Sequence, residues 1–246
     1  MSFTVVIPAR YASTRLPGKP LLDIAGWPMI RHVHEQARRS AAEAVYIATD
    51  DQRVADAALA FTDRVVMTAT QHQSGTDRVE EVSRLVGLGD REIVVNVQGD
   101  EPLIAPELIN QVAMDLDAHS DAGISSLYEP LAEGESPDDP DLVKVVTDPE
   151  GYALYFSRSA VPWQSPGADG LSVCQRHIGI YAYRVSTLRR FVQWPPAMLE
   201  QAERLEQLRA LVHGVRIHMS AACVPSAGGV DTEADLRRVR SLFSAR

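Results

Sequence analysis

Arg10, Arg15 and Lys19 lie within ten residues of one another in a chain whose formal net charge is −9. They occur in Pro8–Pro20, PARYASTRLPGKP, where Gly18 and the prolines exclude regular structure. Cationic side chains and backbone N–H groups of such a loop can share the charge of a polyphosphate. The GxxxxGK[ST] spacing is absent and Pro20 follows Lys19, so this is not the ATPase type of phosphate loop. Acidic groups offer the complement. Asp100, in Gln98-Gly99-Asp100, either pairs with the basic loop or binds a hard divalent cation together with substrate phosphates. Asp231, in Gly228-Gly229-Val230-Asp231-Thr232, reads first as a helix N-cap from its spacing, and otherwise as a second metal carboxylate.

Two further groups are polar but less specific. His72, Ser74, Gly75, Thr76, Asp77 and Arg78 form a turn ahead of a helix, either a capped helix start or a set of groups that reads a base or phosphate. Arg158, His177, Tyr181, Glu206 and Gln207 lie in the second half, where a structural role also explains each of them.

The elements that must position these groups follow from hydrophobic periodicity. Phe3 to Ile7, Val45 to Thr49, Arg64 to Met67 and Glu92 to Val97 read as strands. Helices are expected over Pro28 to Arg39, about Asp51 to Ala60 with Asp50 as its cap, from Thr76 through Val86, and over Pro106 to Ala118. Strands alternating with helices through short connections predict a doubly wound α/β sheet, with ligands outside the carboxyl ends of its strands. In the second half, Gly123 to Tyr128, Val143 to Val146, Tyr152 to Phe156, His177 to Tyr183 and Val215 to Met219 read as strands. One helix is expected over Leu199 to Val212 and another from Val230 to about Phe243, whereas Pro162 to Ser172 cannot be regular. With no linker visible, the expectation is a single domain over residues 1–246 with an arm or subdomain at about 130–215.

Composition bounds the function. At 246 residues, 45% hydrophobic and 23% charged, the chain can bury a sizeable core. The negative charge argues against broad nucleic-acid or anionic-membrane binding, but leaves room for one anionic small molecule in a locally basic pocket. Cys174 and Cys223 have no metal-ligand spacing and are expected as reduced thiols. No signal-peptide pattern or membrane-length apolar run occurs, so a cytoplasmic location is expected.

Taken together, IPARYASTRLPGKPL (Ile7–Leu21), HQSGTDR (His72–Arg78), NVQGDEP (Asn96–Pro102), GYALYFSR (Gly151–Arg158), RHIGIYAYR (Arg176–Arg184), LEQLR (Leu205–Arg209) and GVDTEADL (Gly229–Leu236) resemble the 3-deoxy-manno-octulosonate (Kdo) cytidylyltransferase family of Gram-negative bacteria, in order and over nearly the whole chain. The resemblance implies a nucleotide-diphospho-sugar transferase fold, that is, a mixed sheet with helices on both faces and a dimerisation arm. It also implies a Mg2+-dependent reaction of CTP with Kdo giving CMP-Kdo and pyrophosphate, for lipopolysaccharide biosynthesis. Under it, Ala9, Arg10, Arg15, Lys19, Ser74, Gly75 and Arg78 would bind the nucleotide. Gln98, Arg158, His177, Tyr181, Glu206 and Gln207 would bind the sugar, and Asp100 and Asp231 would hold magnesium, with Lys19 assisting the leaving pyrophosphate. CTP and Kdo are then the partners, alongside a second copy of the chain. A departure is visible at Val161-Pro162-Trp163, which continues as Gln164-Ser165 where relatives carry Asp-Arg and a longer loop. That leaves open another acid sugar, such as 8-amino-Kdo or a sialic acid. A nucleotide-binding regulatory protein without turnover is a further alternative.

Overall fold

The structure is a computed structural model that describes residues 2–12, 16–163, 165 and 174–244. Arg15 and Gln164, both raised by the sequence, lie outside the described residues. In chain order the elements are β1 (Phe3–Pro8), a 3-10 turn (Lys19–Leu21), β2 (Asp23–Ile24), β3 (Trp27–Pro28), α1 (Met29–Arg38), β4 (Ala44–Thr49), α2 (Gln52–Leu59), β5 (Val65–Met67), α3 (Gly75–Leu85), β6 (Ile93–Asn96) and α4 (Pro106–Ala118). Then follow β7 (Ile124–Pro130), β8 (Lys144–Thr147), β9 (Ala153–Ser157), β10 (Gln175–Arg184), α5 (Val185–Phe191), α6 (Met198–Glu203), α7 (Gln207–Val212), β11 (Ile217–Ala221) and α8 (Glu233–Ser244).

One sheet runs β11-β7-β10-β6-β1-β4-β5, and the β8–β9 ribbon branches from β10. β1 pairs in parallel with both β4 and β6, and β4 with β5, as the strand–helix alternation requires. β10 enters antiparallel between β6 and β7, which makes the sheet mixed. Alternation along β1 shows why both faces are covered. Phe3, Val5 and Ile7 join a core with α1, α2 and α4, whereas Val6 joins a second core with α3, α5 and α7.

The chain runs outward from β1 through β4 to β5, then returns to β6 on the other side of β1. The carboxyl ends of β1 and β6 therefore flank a topological switch point, where open α/β sheets form a ligand crevice. A third, smaller core joins Leu16, Ile24 and Met29 to Val230, Leu236 and Val239. It fastens the basic loop to the start of α8, segments far apart in sequence.

Several boundaries differ from expectation. Asp51, not Asp50, caps α2, its carboxylate accepting from the Arg53 N–H at 3.0 Å. The expected helix over Leu199–Val212 is two helices, broken where Arg204 takes a left-handed conformation (φ 54°). The break lets Glu203 and Glu206 diverge: Glu203 accepts from Ser157 Oγ at 2.8 Å and Arg158 N at 2.9 Å, whereas Glu206 accepts from Thr76 Oγ1.

Candidate active site

The basic loop and the β6 loop converge on one ammonium. Lys19 Nζ donates to Asp100 Oδ2 at 2.7 Å and to Asp231 Oδ1 at 3.0 Å. Gly18 makes this turn possible, since its φ of 67° is left-handed and a Cβ there would meet the Tyr11 ring at 3.2 Å. Burial opposes the charge on Lys19, but the Asp100 and Asp231 carboxylates outweigh it and hold its pKa above the ordinary lysine value.

Gly99 explains how the two strand ends come so close: a Cβ on it would lie 2.7 Å from the Pro8 carbonyl oxygen. On the other side, Val230 N donates to Asp100 O at 2.9 Å, which ties the Asp231 segment to the β6 loop. Asp231 is not the cap of α8. Thr232 takes that role, accepting from Asp235 N at 3.2 Å, and the Asp231 carboxylate is left facing Lys19.

Two cavities meet at these residues. One, of about 460 Å³, is bounded by Ala9, Arg10 and Lys19 from the basic loop, by Gly75, and by Gln98, Asp100 and Asp231. The other, of about 390 Å³, is bounded by His177 and Tyr181 of β10, by Glu206 and Gln207, and again by Gln98, Asp100 and Asp231. The three shared residues are thus the wall between them.

The electrostatics differ on the two sides. Cations line the first cavity. The second carries acids and, among the described residues, no Lys or Arg. Burial, with the charges of Asp100 and Asp231, pushes the Glu101 carboxyl up to about 8. Burial likewise raises Glu206, against the hydrogen bonds from Thr76 and Ser74. Two buried acceptors in this cavity have no partner among the described residues, Asn96 Oδ1 and Glu206 Oε1.

His177 shows the cost of this burial most clearly. Its Nε2 lies 3.0 Å from Ser126 Oγ and its ring packs against Phe156 and Tyr181. Burial pushes it down to about 3, from an ordinary value of 6.5. Between those values the unfolded chain binds a proton that the folded one refuses, so stability falls as pH drops below 6.5 and continues to fall toward about 3. Denaturant unfolding of His177→Gln over this range is expected to show a shallower loss than the parent protein; equal slopes would contradict the assignment.

Not every residue singled out in the sequence reaches the site. Ala9, Arg10, Lys19, Gly75, Gln98, Asp100, His177, Tyr181, Glu206, Gln207 and Asp231 line the cavities. Ser74 lines neither cavity: it is the N-cap of α3 in a reciprocal box with Asp77, and its hydroxyl also bonds Glu206. Arg78, expected at the nucleotide, is fully buried, donating to Asp50 Oδ2 at 2.8 Å and to Thr68 Oγ1, and lines neither cavity. Arg158 is likewise committed elsewhere, its Nε to Glu203 O at 2.8 Å and its NH1 to Pro140 O at 2.7 Å.

Asn96, Glu101 and Tyr183 also line the second cavity and were missed, and Thr76, raised as part of the polar turn, lines it too. Asn96, polar at the end of an apolar strand, and Tyr183, two residues from Tyr181 on the same face, were the available signals. Another group of metal-type donors, Asp115, His119 and His218, lies outside both cavities. Its imidazoles stack at 3.5 Å with planes 16° apart, so their lone pairs do not converge. The Asp115 oxygens already accept from Ser220 at 2.8 Å and bond His218 Nδ1 at 2.7 Å, which makes the group a clasp between α4 and β11.

Comparison with known proteins adds to this geometry. Residues 4–217 match the family described as Cytidylyltransferase. A 3-deoxy-manno-octulosonate cytidylyltransferase of Cellvibrio japonicus is 57% identical, with 99% of this chain and 98% of the relative covered. One from Vibrio vulnificus is 54% identical with both chains fully covered. The solved structure of a CMP:2-keto-3-deoxy-manno-octonic acid synthetase complexed with CTP superposes with a TM-score of 0.91 at 42% identity, covering 99% of this chain and 98% of that one. A nucleotidyl transferase of Methanothermobacter thermautotroptrophicus, at 18% identity and a TM-score of 0.63, shares the fold.

Proposed function

The chain belongs to the 3-deoxy-manno-octulosonate cytidylyltransferase family, and on that premise we propose how its two cavities divide the substrates. It transfers CMP from CTP to Kdo and releases pyrophosphate. In our reading the triphosphate occupies the cavity of Arg10 and Lys19, and the sugar occupies that of His177, Tyr181, Glu206 and Gln207. The observation that carries this reading is the shared wall of Gln98, Asp100 and Asp231. A sugar hydroxyl on one side of it and the α-phosphorus on the other are brought together at a single place, which is what a direct displacement needs.

Asp100 and Asp231 suit a divalent cation such as Mg2+, because their oxygens already converge on one positive nitrogen and are hard donors. Bound there, such an ion would neutralise phosphate charge and lower the pKa of the attacking hydroxyl. The protein's own groups supply the rest. Lys19 moves from the carboxylates to the leaving phosphates, Arg10 meets the triphosphate at the open side, and Gln98 orients the hydroxyl. Asn96 Oδ1 and Glu206 Oε1 accept from hydroxyl groups of the bound sugar, which gives the two orphan acceptors their donors.

The same acceptors and the acidic lining also suit an amine, which favours an 8-amino variant as the second reading. Leu154, Trp163 and Met198 are largely exposed apolar residues of the second half, and we assign them to a contact with a second copy of the chain. Among the described residues no helix is long and apolar enough to cross a membrane. A cytoplasmic location accords with this and with the soluble substrates.

Pyrophosphate release should be measured with Mg2+, each of the four nucleoside triphosphates, and Kdo, its 8-amino variant or a sialic acid. The expected result is release with CTP and Kdo. No release from that pair at saturating concentrations would sink the reading, and preferential release with the 8-amino sugar would establish the second one.

A further inference from the structure

α8 holds Asp231 and the segment before it at two points. Asp235 Oδ2 accepts from Asp231 N at 3.2 Å, from Thr232 N at 2.9 Å and from Thr232 Oγ1 at 2.8 Å. An ordinary capping box needs only the bond to the N-cap residue's own N–H; here the carboxylate also takes the N–H of the residue before it. One turn further along, Arg238 NH1 donates to Ala227 O at 3.1 Å and NH2 to Gly229 O at 3.4 Å. Between these grips, Val230 is fully buried in the small core with Leu236 and Val239, and its N–H is bonded to Asp100 O at 2.9 Å. The backbone of residue 231 is thereby held relative to Asp100.

We propose that Asp235 and Arg238 are positioning residues for the reaction, fixing the Asp231 carboxylate opposite Asp100 at the spacing a divalent cation requires. Neither residue touches substrate in this account; each acts through the Asp231 backbone. Partners one shell out from a ligand typically change metal affinity by about 10- to 100-fold when removed. The inference rests on the reading of Asp231 as a cation ligand.

The test is Mn2+ binding to protein held in excess over CTP and without sugar, so that the phosphates can draw Lys19 off the carboxylates, followed by the electron paramagnetic resonance signal of the free ion, at a temperature where every variant is folded. Asp231→Asn is the control and is expected to weaken binding; if it does not, the cation reading and this inference both fall. Asp235→Ala is expected to raise the Mn2+ dissociation constant about tenfold or more. Asp235→Asn, whose amide oxygen can still accept, is expected to restore most of the loss. Arg238→Met should shift binding in the same direction and serves alone if Asp235→Ala does not fold. Should Asp231→Asn weaken binding while Asp235→Ala and Arg238→Met both bind Mn2+ like the parent, the two residues merely stabilise the helix and the proposal is overturned.

Discussion

Asp100→Asn is expected to lower turnover by about a thousandfold or more while the protein keeps its fold. The substitution preserves shape but removes one of the two charges that converge on the Lys19 ammonium at 2.7 and 3.0 Å. Lewis-acid stabilisation of a phosphoryl oxygen is worth several kcal/mol, and each 1.36 kcal/mol is a factor of ten, which sets the scale of the loss. The stability cost is small by comparison. The Asp100 side chain is 31% exposed and Lys19, 13% exposed, keeps Asp231 as a partner, so the cost is expected at about 1 kcal/mol. Its backbone carbonyl, which accepts from Val230, is untouched. Single-turnover rates beside a thermal melt separate the two effects. A variant with near-parental turnover would show that the carboxylate does no chemistry.

Arg78→Met is expected to do the opposite, lowering stability by about 3 kcal/mol with little change in the KM for CTP. Arg78 is fully buried, and its guanidinium holds Asp50 and Thr68 beneath the start of α3. Removing one partner of a buried pair typically costs about 3–5 kcal/mol, because the other charge is left without compensation. Asp50 retains 19% exposure, which places the expectation at the low end of that range. Denaturant unfolding and CTP saturation curves, both well below the melting temperature, distinguish the alternatives. A tenfold rise in KM at unchanged stability would instead put Arg78 against the nucleotide.

The contrast between these residues shows what the sequence could and could not convey. The alternation of strands and helices through α4 was legible because each element carries its own period, and α4 runs over Pro106–Ala118 as expected. Asp100 was legible too, since the carboxyl end of a central strand fixes where its loop must lie. Partners were not. Asp50 reads as a local cap, yet its partner is Arg78, reached only once α3 folds back over the sheet. Arg158 reads from the resemblance as a sugar-binding cation, and its bond to the carbonyl of Glu203 arises only where the helix breaks at Arg204. That same break turns Glu206 and Gln207 into the second cavity, and no local periodicity encodes it. From spacing alone Asp231 reads first as a cap, and as a metal ligand only through the family resemblance, because the Thr232–Asp235 box sits a single residue further on. A one-residue shift of a cap is below what spacing can resolve.

The central claim is that Asp100 and Asp231 hold a cation at the wall between a nucleotide cavity and a sugar cavity. Crystals grown with CTP and Mn2+, measured at the manganese absorption edge, test it directly. The account predicts an anomalous peak bound to carboxylate oxygens of both Asp100 and Asp231, with the Lys19 ammonium withdrawn toward the phosphates. Manganese bound only to the phosphates, with Lys19 still bridging the two carboxylates, would contradict it.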